Sequence, residues 1–292
     1  MANDIATEYK LQKVNNQEVQ PIISNNLKPE EIKGYDVIPM LYSNIFIAGF
    51  RGSGKTTALF HIMKECIDKE TKVVVFANTH DCDSSWLHMK EWLEKRKQPH
   101  VFYSSIKEDG VDLLDALVGS FVKEAAEEQE RLRAEKEQKK RDKKLCNKGR
   151  CRLTEANEDM PTTTPTTEGE KKVKSCKWFI VFDDISSELR GSKSVDRLLK
   201  QHRHYKSKVV VSSQDVCDLR PGTKNQAIIW LIFKGFGLQR FKDHIYSYLG
   251  VKLPVDKLYN IYTEVTKSQG SFLYVNKITG ELRKNFTEKI IA

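Results

Sequence analysis

Eight consecutive residues, Gly49-Phe50-Arg51-Gly52-Ser53-Gly54-Lys55-Thr56, bring three glycines, a lysine and two hydroxyls together in the spacing GxxxxGK[ST]. Glycines at those positions let the backbone wrap so that its N–H groups converge on phosphate oxygens. A helix starting there adds the partial positive charge of its N-terminus. In this pattern Lys55 bridges the β- and γ-phosphates of a nucleotide, and the Thr56 hydroxyl ligates Mg²⁺. The binding segment is read as Gly49, Arg51, Gly52, Ser53, Gly54, Lys55, Thr56 and Thr57, with Arg51 free to face solvent or a polyanion. A chance glycine-rich turn would match the letters without the flanking strand and helix that this motif requires.

An acidic pair, Asp183-Asp184, closes the apolar run Trp178–Phe182. Asp183 is placed to hold Mg²⁺, directly or through water, and Asp184 to act as general base on the attacking water. The competing reading is that the pair caps the segment Ser186–Leu189. Gln214 ends another apolar run, Val209–Ser213, and can orient a water at the γ-phosphate if the two strands are neighbours. Otherwise it is an ordinary strand-end turn residue.

These groups need a scaffold of buried strands. Ile45–Ala48, Val73–Ala77, Trp178–Phe182, Lys208–Ser212 and Ala227–Phe233 are short, β-branched or aromatic runs of the kind found in parallel sheets buried on both faces, and His100–Tyr103 is a further short strand. Thr56–Lys69 carries Leu59, Ile62, Met63, Cys66 and Ile67 at helical spacing, which predicts strand–loop–helix–strand. Near the end, SFLYVNKITGELRKNF predicts a hairpin turning at Thr279-Gly280. The fold class is therefore α/β: a P-loop NTPase with a mainly parallel sheet flanked by helices and a C-terminal β-hairpin. An extra strand between the P-loop strand and the Asp183 strand points to the additional-strand, RecA-like core.

Residues 1–40, with Pro21, Pro29 and Pro39, are read as a polar N-terminal arm, and 41–292 as the P-loop ATPase domain. A flexible, charged insertion interrupts that domain at about 123–172. It holds 14 Lys/Arg and 12 Asp/Glu; its first half suits a solvated helix with i,i+4 pairs, and MPTTTPTTEGE suits a flexible tract. The whole chain has 292 residues, 49 Lys/Arg and 40 Asp/Glu, for a net charge of +9. Removing the insertion leaves 35 basic and 28 acidic residues, so +7 stays with the remainder. Lys193, Arg197, Lys200 and Arg190 are candidate contacts to a polyanion, or a solvated helix face.

No apolar run is long enough to span a membrane, and the start, MANDIATEYKLQKVNNQ, has no apolar signal core. Six scattered cysteines without CxxC pairs suit reduced thiols. His80, Cys82 and His88, even with Cys146 and Cys151, do not complete a four-ligand zinc pattern, so structural roles are expected. Trp86 and Trp92 with Leu87, Met89 and Leu93 predict a packed amphipathic helix rather than a base-stacking platform.

A GTPase needs an NKxD-type element, and the only Asn-Lys, at 276–277, lacks the aspartate. No LSGGQ-like signature of ABC ATPases is present, and the mixed-charge insertion makes a poor kinase lid. The segments GFRGSGKTT, VVVFANTHD, WFIVFDDIS and QHRHYKSKVVVSSQD, in that order, resemble the FtsK/HerA superfamily of ring-forming DNA-pumping ATPases. Within it they are most similar to the genome-packaging ATPases of poxviruses, other large DNA viruses, virophages and polinton-like elements. The Arg-His-Tyr pattern before the glutamine-ended strand and the Asp-Asp pair carry most of that resemblance, which covers roughly 43–215. It implies an ATP- and Mg²⁺-dependent double-stranded DNA translocase, working as a homo-oligomeric ring (hexamer or pentamer) at a capsid or portal vertex. The setting would be host cytoplasm or a viral factory, with virion association. It also implies an arginine acting in trans from the neighbouring subunit, for which Arg203 is the candidate; the plainer reading makes 201–208 a basic, solvated connection. A P-loop nucleotide or nucleoside kinase and a non-translocating ATP-binding scaffold stay open as alternatives.

Overall fold

Strands that are apolar on both faces must be covered on both sides, and the alternation of side chains within them decides which residue meets which helix. The computed structural model describes residues 27–149 and 173–291, with 142–149 described as helical backbone only. The strands are β1 (Ser43–Ala48), β2 (Lys72–Ala77), β3 (His100–Tyr103), β4 (Lys107–Glu108), β5 (Val111–Asp112), β6 (Trp178–Asp183), β7 (Ser207–Ser213), β8 (Ile229–Phe233), β9 (Phe272–Asn276), β10 (Glu281–Lys284) and β11 (Glu288–Ile290). The first helices are α1 (Lys55–Cys66), α2 (Ser84–Lys95) and α3 (Leu113–Gly149). After β6 come α4 (Ser186–Leu189), α5 (Lys193–Gln201), α6 (Pro221–Lys224), α7 (Leu238–Phe241), α8 (Ser247–Leu249) and α9 (Val255–Val265).

Nine strands form one sheet in the order β11-β10-β9-β8-β1-β7-β6-β2-β3, and β4–β5 is a separate small hairpin. The six strands from β8 to β3 run parallel, and β9, β10 and β11 add an antiparallel meander. The sheet is thus mainly parallel, as the apolar runs predict. One strand, β7, lies between β1 and β6, with Ala48 opposite Ser213 and Asp183 opposite Ser212. The additional strand expected from the sequence is therefore present, and the ends of β1, β7 and β6 are nearly flush.

Alternation sorts the core into two layers. Ile45, Ile47, Phe179 and Val181 face α1 and α2, where they meet Leu59, Ile62, Met63, Trp86, Met89 and Leu93. Phe46, Phe76, Ile180 and Phe182 face the other side, with Val118 and Phe121 of α3, Leu198 of α5 and Tyr262 of α9. Helix α1 ends at Cys66, earlier than the apolar spacing suggests, because the Asp68 carboxylate accepts from the N–H groups of Glu70 and Thr71 and turns the chain. Gly280, with φ +71°, makes the β9–β10 turn where Thr279-Gly280 predicts it.

The charged insertion begins inside a helix. α3 runs unbroken past Lys123; residues 150–172, including Cys151 and the threonine-rich tract, lie outside the described residues, as does the Cys146 side chain. Lysines at the N-terminal edge of the sheet clamp the helix. Glu124 meets Lys72 (2.9 Å) and Lys177 (3.0 Å), and Glu128 meets Lys206 (2.7 Å). Of the segment read as an arm, residues 1–26 lie outside the described residues, whereas Val37 and Ile38 are buried against the α1–α2 layer. No helix of the described residues is long and apolar enough to cross a membrane.

Candidate functional site

The chain leaves β1 at Ala48 and wraps into α1 through Gly49–Gly54. Gly52 (φ +74°) and Gly54 (φ +106°) occupy left-handed conformations there, and Gly54 is the N-cap of α1. A side chain at Gly54 would be strained by that φ and would also press on the Gly270 backbone, 3.3 Å away. The loop is held from the β8–β9 side as well: the Phe50 ring stacks on Phe236 at 5.5 Å, and Gln269 Nε2 donates to the Gly52 carbonyl at 2.7 Å.

A cleft of about 630 Å³ opens over the loop, lined by Arg51, Gly52, Gly54, Lys55, Thr56, Thr57, Asn78, Thr79, Asp83, Ser85, Asp183, Asp184 and Gln214. Strand order accounts for this assembly. Asp183 ends β6 on the face shared by Phe179 and Val181, so it lies beneath α1 and α2, whereas Gln214 follows β7 directly. Gly49 lies at the top of β1 with Ser53 packed over it. Lys55 is buried, and its ammonium donates to the Phe50 carbonyl at 3.3 Å.

Asp183 is a buried carboxylate, 6% exposed. Trp86 of α2 donates its indole N–H to Asp183 Oδ2 at 3.0 Å, while Oδ1 is buried and makes no hydrogen bond of standard geometry. Burial pushes the Asp183 carboxyl up to about 6, opposed by Ser212, Trp86 and the Lys55 charge and reinforced by Asp184. Such a group suits a hard cation: it has an unsatisfied oxygen, and its charge is costly without a counter-charge. Thr56 Oγ1 and Asp183 Oδ1 are the oxygens that could hold Mg²⁺. Among the described residues no three His, Cys, Asp or Glu side chains group as metal ligands.

Asp184 adopts φ +49°, a left-handed conformation an aspartate tolerates better than most residues, while its N–H completes the ladder to the Ser212 carbonyl at 3.1 Å. That turn sends its carboxylate away from Asp183 to Gln214, whose Nε2 donates to Asp184 Oδ2 at 3.0 Å. Neither aspartate caps α4, which has Ile185 at its N-cap and no side-chain cap, so the capping alternative fails. Lys55, Thr56, Asp183, Asp184 and Gln214 are thus brought together. Arg203 is not: it lies between α5 and β7, at the opposite end of the sheet, beside Met40, Tyr42 and Lys174. The length of β7, about 20 Å, separates it from the cleft of its own chain.

Sequence reasoning missed Trp86 as a partner of Asp183, and Asn78, Thr79, Asp83 and Ser85 as cleft residues. Trp86 was legible only as a core position of α2, where Trp86, Met89 and Leu93 are indeed buried while Leu87 is 41% exposed. Of the candidate polyanion contacts, Arg197 is taken by Asp115 at 2.7 Å.

No family model matches this chain, and no curated sequence matches it. Solved structures similar to it include the genome packaging NTPase B204 from Sulfolobus turreted icosahedral virus 2 in complex with AMP, at 12% identity and a TM-score of 0.49, covering 87% of this chain and 100% of that one. The pCW3 conjugation coupling protein TcpA with ATPγS is similar at 13% identity and a TM-score of 0.44, covering 80% and 57%. The cytoplasmic domain of the Thermomonospora curvata Type VII secretion ATPase EccC is similar at 16% identity and a TM-score of 0.45, covering 80% and 24%.

Proposed function

We propose that this chain is an ATP-driven double-stranded DNA translocase that packages a viral genome into a preformed capsid. The observation that carries this reading is the strand order: β7 intervenes between the P-loop strand and the Asp183 strand and delivers Gln214 to the cleft they share. In the proposed reaction the P-loop backbone and Lys55 hold the β- and γ-phosphates of ATP. Thr56 and Asp183 would hold Mg²⁺, which would supply charge neutralisation at the phosphates. Asp184 takes a proton from water as its oxygen attacks the γ-phosphorus and the bond to ADP breaks. Gln214, anchored on Asp184 through its amide N–H, keeps its carbonyl for the attacking water.

The distance of Arg203 from its own cleft suits action in trans, with each subunit of a homo-oligomeric ring, hexamer or pentamer, completing its neighbour's site. The proposed domain is 41–292 with its charged insertion, preceded by the 1–40 arm; the proposed partners are duplex DNA, further copies of the chain and proteins of a capsid or portal vertex. The proposed setting is host cytoplasm or a viral factory. Measuring ATP hydrolysis with and without linear duplex DNA tests the reading. Strong stimulation supports the motor. Phosphate transfer to an added nucleoside would instead make the chain a kinase, and ATP binding without turnover would make it a scaffold.

A further inference from the structure

Beyond its clamp at the sheet edge, the described side chains of α3 stand in solvent. Every described residue from Gln129 to Arg141 is exposed, so about 20 Å of helix projects into solvent there, and the helical backbone continues to Gly149. Its charge is segregated along its length. Leu113–Glu128 holds one Lys/Arg against four Asp/Glu, and Gln129–Gly149 holds nine against four.

Charge is segregated around the helix as well. At 3.6 residues per turn, Arg133, Lys136, Lys139 and Lys140 fall within an arc of about 120°, and Glu130, Glu135 and Glu137 fall outside it. Three like-charge pairs result, Arg133–Lys136 and Lys136–Lys139 at i,i+3 and Lys136–Lys140 at i,i+4, and each destabilises an isolated helix. None of these four cations forms an ion pair among the described residues, whereas Arg131, off the stripe, pairs with Glu135 at 3.7 Å. The i,i+4 pair expected on a solvated helix forms at the base of the arm, between Arg131 and Glu135, and none forms along this stripe among the described residues.

We infer that the projecting part of α3 is a duplex-DNA-binding arm, its Arg133–Lys136–Lys139–Lys140 stripe gripping backbone phosphates without reading sequence. An acidic protein partner is the less suited occupant, because among the described residues of this stretch Leu132 is the one large apolar side chain and protein interfaces rely on an apolar centre. A polyanion bound by counterion release needs no such centre. A bare helix is also the element that a DNA major groove admits. The inference rests on the proposed motor function and adds to it a gripping surface outside the nucleotide site.

The test is the salt dependence of binding to a fluorescent linear duplex, followed by anisotropy on the full chain. The wild type is compared with R133Q/K136Q/K139Q/K140Q, whose helicity is verified by circular dichroism. The slope of log K against log salt should become shallower by about 3 to 4 in the variant, with at least tenfold weaker binding at physiological salt. An unchanged slope overturns the arm assignment. So does a variant that keeps its DNA affinity but loses affinity for poly-L-glutamate, which would point to an acidic protein instead. A wild type whose binding follows the stripe but whose ATP hydrolysis ignores DNA keeps the arm and removes the motor. A wild type that DNA stimulates, paired with an unchanged variant slope, removes the arm and keeps the motor.

Discussion

Replacing Asp183 by asparagine should make the metal-free protein more stable while removing its ATP turnover. The introduced amide would keep an oxygen to accept the Trp86 indole N–H, so the packing around a 6% exposed side chain is preserved. What disappears is a buried charge. Burial is the main reason that the carboxyl titrates at about 6 instead of 3.8, a difference worth about 3 kcal/mol. Because the folded chain holds this proton more tightly than the unfolded chain, the group favours folding below the unfolded value of 3.8. That contribution is lost as pH rises through about 6, and above pH 7 the folded chain carries the whole penalty. In chelator, Asp183→Asn should therefore melt higher than the wild type by roughly 6 °C near pH 8, at about 2 °C per kcal/mol for a chain of this size. The gap should close toward about pH 4, where both side chains are neutral. Thermal melts of both proteins across that range decide the matter. A gap that is absent, or constant with pH, refutes the argument that an uncompensated charge sits at the end of β6.

Trp86→Phe removes the donor to Asp183 and leaves an aromatic ring in the α2 layer. The Mg²⁺ concentration for half-maximal turnover should rise 10- to 100-fold, with Mn²⁺ binding followed by electron paramagnetic resonance weakened in parallel. Unchanged metal affinity would reduce Trp86 to core packing. Asp184→Asn should bind ATP normally and hydrolyse it at least about 100-fold more slowly, and normal turnover would remove the base assignment. Arg203→Ala should oligomerise normally and turn over poorly. Mixing it with a hydrolysis-dead Asp184→Asn subunit that still carries Arg203 should restore activity, and a mixture as inactive as its parts would argue against action in trans.

Elements whose logic is local could be read from the chain alone. The P-loop is such a case, since strand, glycines and helix follow one another within about twenty residues and each constrains the next. Asp183 was legible for the same reason, as the first polar residue after a buried run. The Trp86–Asp183 bond was not, because 97 residues separate its partners and only the adjacency of β2 to β6 brings α2 over the strand end. The left-handed turn at Asp184, which parts two adjacent carboxylates, also depends on tertiary context: its N–H must reach Ser212 on β7. The change in character at Lys123 marks where α3 leaves the core, not where a new element starts, and hydropathy registers the first event while backbone hydrogen bonding decides the second.

A rod fixed at one end is a lever, and α3 is fixed by Glu124 and Glu128 on lysines that belong to β2 (Lys72), to the turn before β6 (Lys177) and to the turn before β7 (Lys206). Two of those strands, β6 and β7, end at the other side of the sheet in Asp183 and next to Gln214. A relative tilt of the two strands by about 10° would swing the tip of a 30 Å rod by about 5 Å. Movement at the sheet edge is enlarged, at that distance, to roughly the rise of one and a half base pairs of duplex.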